Sequence, residues 1–90
     1  MTSISVAGLS PRLRFSVNLR KARLAARITQ QELADRCYLH RTEVSLLERG
    51  LREPRLGTLV KLAGALGVSA ASLAAGVAWN VESQRFEFKR

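Results

Sequence analysis

The chain has 90 residues, 47% of them apolar, which is enough for one compact domain and too few for two. Fifteen lysines and arginines against seven acids leave a formal charge of +8, a balance that points to a polyanionic partner rather than an acidic or disordered tail. No run approaches the roughly 18 apolar residues of a spanning helix, and the opening MTSISVAGLSPR lacks the basic start of a secretory signal, so a cytoplasmic protein with no membrane span is expected.

Residues 1–9 mix small and polar side chains without a period and are expected to form a flexible arm or loose lead-in. Ser10 and Pro11 make an N-cap and first helical position, after which Phe15, Leu19, Ala22 and Ala26 recur at helical spacing. Arg12, Arg14, Arg20, Lys21, Arg23 and Arg27 all precede the first acid, Glu32. Their apolar neighbours are alanines rather than the bulky groups of a bilayer-binding helix, which disfavours a membrane surface as their target. Thr29 and Glu32 form a T-x-x-E capping box, so a second helix is expected to begin at Gln30.

A third helix of about ten residues is expected to start near His40 or Arg41, carry Val44 and Leu47 on one face, and run out at Gly50 in a left-handed cap. Residues 51–55, interrupted by Pro54, read as an exit loop. Leu59, Leu62, Ala63 and Leu66 mark the inward stripe of a fourth helix that stops at Gly67. Ser69 can cap a short fifth helix to about Ala75, whose Leu73 and alanines pack inward or against a second subunit. Beyond Gly76, Phe86 and Phe88 alternate with charged neighbours, the pattern of a short hairpin or tail strand. The expected plan is an arm over 1–9, a helical domain over 10–76, and a tail or hairpin over 77–90 that is a candidate for dimerisation.

The stretch QQELADRCYLHRTEVSLLER thus describes two short amphipathic helices joined by a tight turn, the layout of a DNA-reading helix-turn-helix. On a helical wheel Val44, Leu47 and the edge of Glu48 share one side, while Thr42, Ser45, Leu46 and Arg49 point the other way. Hydroxyl, guanidinium and apolar groups mixed on one short face suit base edges and phosphates. Arg41 is placed for a phosphate or a guanine O6/N7 edge, and Thr42 and Ser45 can donate to or accept from bases. The Thr42 methyl or the Leu46 side chain suits a thymine methyl, although an outward leucine also suits a partner interface or plain exposure. Glu43 repels phosphate unless it accepts from a cytosine N4 or pairs with a neighbouring arginine, and helix-end electrostatics is its simplest explanation.

Other chemistries find little support. The single Cys37 permits no internal disulfide and reads as a buried small apolar residue. Cys37 and His40 have C-x-x-H spacing, but a zinc site needs about four ligands and the chain has no other Cys or His, so no metal is expected. The histidine lacks a nucleophile partner, Glu32, Asp35 and Glu48 read as helix-cap and intrahelical carboxylates, and there is no glycine-rich phosphate loop; neither catalysis nor a cofactor is expected. The five aromatics form no stacking ladder of the kind RNA readers use, leaving Trp79, Phe86 and Phe88 as packing or dimer residues.

The segments LRKAR, ITQQELADR, LHRTEVSLLERG and REPRLGTLVKLAGALGVS together resemble the phage-repressor and Cro-like (Xre) helix-turn-helix family over roughly residues 15–76. Gln30, Glu32-Leu33-Ala34, Val44, Leu47-Glu48-x-Gly50, Pro54 and the run Leu59, Leu62, Ala63, Leu66 recur at the family's offsets. Within the family the chain is similar to small bacterial regulators with an LHRT-x-(V/I)-S segment, a group that includes controller proteins of restriction-modification systems. The resemblance implies an all-α, five-helix repressor-like domain that binds double-stranded DNA sequence-specifically and regulates transcription from a short operator. Its third helix is expected in the major groove, with base contacts from Arg41, Thr42, Ser45 and Leu46.

Gln30 matches the family position where a helix N-terminus meets the DNA backbone, and Arg49, Arg52 and Arg55 stand where the family's loop approaches it, as phosphate contacts. One domain offers few base contacts, so a homodimer on half-sites about 34 Å apart is expected, with its contacts sought at Leu73, Trp79, Phe86 and Phe88. Tyr38 departs from the family's glycine at the turn, and packing of its ring is expected to offset a left-handed backbone costing roughly 1 to 2 kcal/mol. The alternative from another class is an antitoxin or adaptor whose aromatic tail grips a partner protein.

Overall fold

The computed structural model describes residues 10–88. The described chain forms five helices and a hairpin: α1 (Pro11–Ala25), α2 (Gln30–Cys37), α3 (Arg41–Glu48), α4 (Leu56–Leu66), α5 (Ala70–Leu73), β1 (Val77–Asn80) and β2 (Arg85–Phe88). The expected arm over residues 1–9 lies outside the described residues.

Helix starts follow local donors and acceptors. The Thr29 hydroxyl accepts from the Glu32 N–H at 3.0 Å, and the Glu32 carboxylate accepts from the Thr29 N–H at 2.8 Å. These bonds, the Thr29 backbone one foremost, hold the Glu32 carboxyl below the usual carboxylate range. Ser69 caps α5 by accepting from the Ser72 N–H at 3.1 Å. At α3 the cap is His40, whose Nδ1 accepts from the Thr42 N–H at 3.2 Å. Ser10 differs from expectation, because its side chain makes no capping bond. The Leu13 N–H, a natural donor to it, bonds instead to the Ser10 carbonyl at 3.0 Å.

Helices α1 to α4 end alike, in a residue of positive φ followed by an N–H that reaches back five positions. The positive-φ residues are Arg27, Tyr38, Gly50 and Gly67. The returning bonds run from Ile28 to Arg23, Leu39 to Ala34, Leu51 to Leu46, and Val68 to Ala63. Tyr38 therefore has the left-handed backbone anticipated, but its ring is 93% exposed and offsets nothing by packing. The compensation comes from the returning bond of 2.9 Å and from Leu39, which packs against the core.

Phe15 and Leu19 of α1, Leu33, Ala34 and Cys37 of α2, Val44 and Leu47 of α3, Leu62 and Ala63 of α4 and Leu73 of α5 form one core. Cys37 is buried as expected, and that burial pushes its thiol above the usual range. Leu73 is only 1% exposed, so of its two anticipated roles it takes the inward one and is removed from any dimer face. α3 is eight residues long, shorter than the expected ten, because His40 is its N-cap and Arg49 its C-cap, with the left-handed residue at Gly50 as expected.

Polar clamps on α1 complete the packing. Arg12 Nε donates to the Gly50 carbonyl at 2.9 Å, Arg14 Nε to the Ala75 carbonyl at 3.1 Å, and Asn18 Nδ2 to the carbonyls of Leu73 and Ala75 at 2.9 Å each. Part of the cationic N-terminal segment thus satisfies carbonyls at helix ends. The strands pair antiparallel with Trp79 opposite Phe86, their rings edge to face with centroids 5.0 Å apart. No helix among the described residues is long and apolar enough to cross a membrane.

Two substitutions of opposite sign test the helix ends by urea unfolding. Tyr38→Gly is expected to stabilise the fold by roughly 1 kcal/mol by relieving the left-handed cost. Gly50→Ala is expected to destabilise it by roughly 1 to 2 kcal/mol, because a methyl there adds backbone strain and lies 2.5 Å from Leu13 Cδ2. A thiol reagent at neutral pH is expected to leave Cys37 untouched in the folded protein and to modify it once urea exposes it.

Candidate nucleic-acid interface

The pose of α3 is set by a buried ion pair. Arg23 Nε and Nη2 donate to Glu48 Oε2 and Oε1 at 2.5 and 3.0 Å, a bidentate pairing. Arg23 Nη1 also donates to the Ile28 carbonyl at 2.8 Å, and Gln30 Nε2 to Glu48 Oε1 at 3.1 Å. The last turn of α1 and the first residue of α2 meet the last residue of α3 at one carboxylate, and the turn into α2 is tied to the guanidinium that binds it. The hydrogen bond to Glu48 raises the Arg23 pKa further above its ordinary value. Glu48 is neither a helix-cap nor an intrahelical carboxylate, as its sequence neighbourhood suggested. An acid at a helix C-terminus opposes the helix dipole, and the guanidinium is what makes it tolerable there. Glu32 and Asp35 do behave locally, Asp35 accepting from Gln31 at 2.9 Å.

With Val44, Leu47 and Glu48 buried, α3 turns its remaining residues outward. Arg41, Thr42 and Arg49 are exposed, and Ser45 and Leu46 are half-buried between them. The five share one face of α3 and its C-cap. Among the described residues no side-chain hydrogen bond or ion pair engages Arg41, Arg49 or Arg55. Such a face, with free guanidinium groups beside hydroxyls, is chemically ready for phosphates and base edges.

Two of the expected phosphate contacts already have partners. Gln30 is braced against Glu48, and Arg52 Nη1 forms an ion pair with Glu43 Oε1. Glu43 is thus the acid paired with a neighbouring arginine, one of the two roles that keep it from repelling phosphate. The pair sits in a polar groove of about 340 Å³ lined by Glu43, Arg52, Glu53, Arg55 and Thr58. Of the expected dimer residues, Trp79 and Phe86 are half-exposed on the hairpin, and Phe88 pairs in register with Val77.

One apolar surface escaped the sequence reading. The outward face of α4 carries exposed Leu56 and Val60 beside Gly57 and Gly64, with Lys61 as the only charge in the helix. The signal was the scarcity of charge along LGTLVKLAGAL, since a solvated helix face ordinarily bears more. Among the described residues no group of three His, Cys, Asp or Glu side chains could hold a metal ion.

A family profile described as helix-turn-helix matches residues 19–73. Control protein C.BamHI of Bacillus amyloliquefaciens is 43% identical over 58 residues, covering 63% of this chain and 72% of that protein. The HTH-type transcriptional regulator YqaE of Bacillus subtilis is 40% identical over 55 residues, which are 61% of this chain and 47% of the longer regulator. Among solved structures, restriction-modification controller protein C.AhdI from Aeromonas hydrophila superposes with a TM-score of 0.67 at 35% identity, over 69% of this chain and 94% of that one. The clp gene regulator ClgR from Corynebacterium glutamicum superposes with a TM-score of 0.72 at 30% identity, over 74% and 86%.

Because the Glu48 carboxylate is surrounded by donors, Glu48→Gln leaves a nearly buried guanidinium without its counter-charge. The expected loss is roughly 3 kcal/mol in denaturant unfolding, far beyond that of a surface ion pair.

Proposed function

Since the chain belongs to the Xre/Cro-like helix-turn-helix family of DNA-binding transcriptional regulators, we propose that it recognises a short operator as a homodimer, with α3 in the major groove. The observation that carries this reading is the outward face of α3, where Arg41, Thr42, Ser45 and Leu46 stand together on a helix clamped from behind. Arg41 is assigned to a guanine edge or phosphate, Thr42 and Ser45 to base edges, and Leu46 to a thymine methyl. Arg49 and Arg55 are assigned to phosphates, as is Gln30, whose position at the N-terminus of α2 favours an anion. The likeness to restriction-modification controller proteins makes such a circuit the favoured genetic setting.

Two copies are required because four side chains read too few base pairs to single out a genomic site. The Trp79–Phe86 face of the hairpin is assigned to the dimer, and the face of α4 that exposes Leu56 and Val60 is its competitor. The same exposed ring pair is what favours the second reading, a tail that holds a partner protein. Trp79→Glu and Val60→Glu, compared by sedimentation equilibrium, decide between the two faces: the variant that becomes monomeric marks the interface.

Selection of bound sequences from a random duplex pool is expected to enrich a pseudo-palindrome with fixed half-site spacing. Thr42→Ala is expected to shift preference at particular base pairs by about 1 to 3 kcal/mol, whereas Arg55→Ala weakens binding to all sequences and lowers the salt slope by about one. Failure to enrich any sequence, with Trp79→Glu abolishing activity and Thr42→Ala leaving it intact, would replace the operator reading by the partner-protein one.

A further inference from the structure

We propose that Glu43 restrains non-specific DNA binding by holding Arg52 in an intramolecular ion pair, so that Arg52 is withheld from phosphate. The inference rests on the DNA reading of α3 and assigns a specificity role to a residue outside its outward base-reading set. Glu43 lies in the first turn of α3, on the flank that faces the exit loop, and its side chain is only 23% exposed. Arg52 reaches back to it across nine positions and remains 53% exposed. A guanidinium already neutralised by a carboxylate releases no counterions when it meets a duplex, so it adds nothing to sequence-independent affinity.

The chemistry of the groove supports this restraint. Arg55 shares the groove and has no ion-pair partner among the described residues, so two arginines of the same loop are placed in opposite electrostatic states. In a chain of net charge +8, unrestrained cations beside the reading helix favour any duplex over the right one. Paired in this way, the Glu43 carboxylate needs no cytosine N4 to donate to it in order to sit near phosphate, so the two charges cancel in place. Because the pair is half-exposed it contributes little to folding, and its removal leaves the domain intact.

The test compares salt dependence of binding to a random-sequence duplex for the unaltered full chain, Glu43→Gln, Arg52→Ala and the double variant, with thermal melts as folding controls. Glu43→Gln is expected to bind random duplex roughly fivefold to tenfold more tightly at 0.1 M salt and to steepen the logarithmic salt slope by about one. The double variant is expected to return to the slope of the unaltered chain. An unchanged or flatter slope in Glu43→Gln overturns the inference, as does a steeper slope that survives removal of Arg52. Arg52→Ala alone is expected to flatten the slope, because it leaves the Glu43 carboxylate unpaired near phosphate, and a steeper slope in that variant would also overturn the inference. Absence of any duplex binding by the unaltered chain would sink the DNA reading itself.

Discussion

A single carboxylate, Glu48, holds the geometry on which the rest of the molecule depends. Burying an acid at the C-terminal end of a short helix is unfavourable twice over, through desolvation and through the helix dipole. The bidentate bond from Arg23 and the amide of Gln30 reverse that balance, and the Ile28 carbonyl uses the remaining edge of the guanidinium. An apolar contact at this place would permit sliding. A planar fork engaged on several sides admits essentially one arrangement of α1, α2 and α3.

The core supports this arrangement from the other side. Val44 and Leu47 share the inward face of α3 with Glu48, so the same rotation that satisfies the carboxylate also buries the two apolar groups. Thr42, Ser45, Leu46 and Arg49 are left outward as a geometrical consequence. The outward face is therefore defined by what lies behind it.

Much of this was legible because it is local. The T-x-x-E box at Thr29 and Glu32, the glycines at 50 and 67 and the cap at Ser69 act over a few residues, and each set a helix boundary as expected. The wheel position of Val44 and Leu47 likewise oriented α3 correctly. What the sequence hid depends on residues far apart in the chain. Arg23 and Glu48 are 25 positions apart, Asn18 and Ala75 57, and no spacing rule links them. The cations of the N-terminal segment looked alike as charges, yet Arg12, Arg14 and Arg23 hold carbonyls or a carboxylate. Tyr38 was read correctly in its backbone and wrongly in its ring, since φ follows from the local turn whereas ring packing depends on which neighbours the fold brings within reach.

The clamps at the end of α5 have a mechanical meaning. The hairpin leaves the domain immediately after Ala75, whose carbonyl is gripped by both Arg14 and Asn18 of α1. α1 in turn is riveted to α3 through Arg23. These directional bonds fix the point from which the hairpin departs relative to α1 and, through Arg23, relative to α3, while Gly76 carries the change of direction into the hairpin itself.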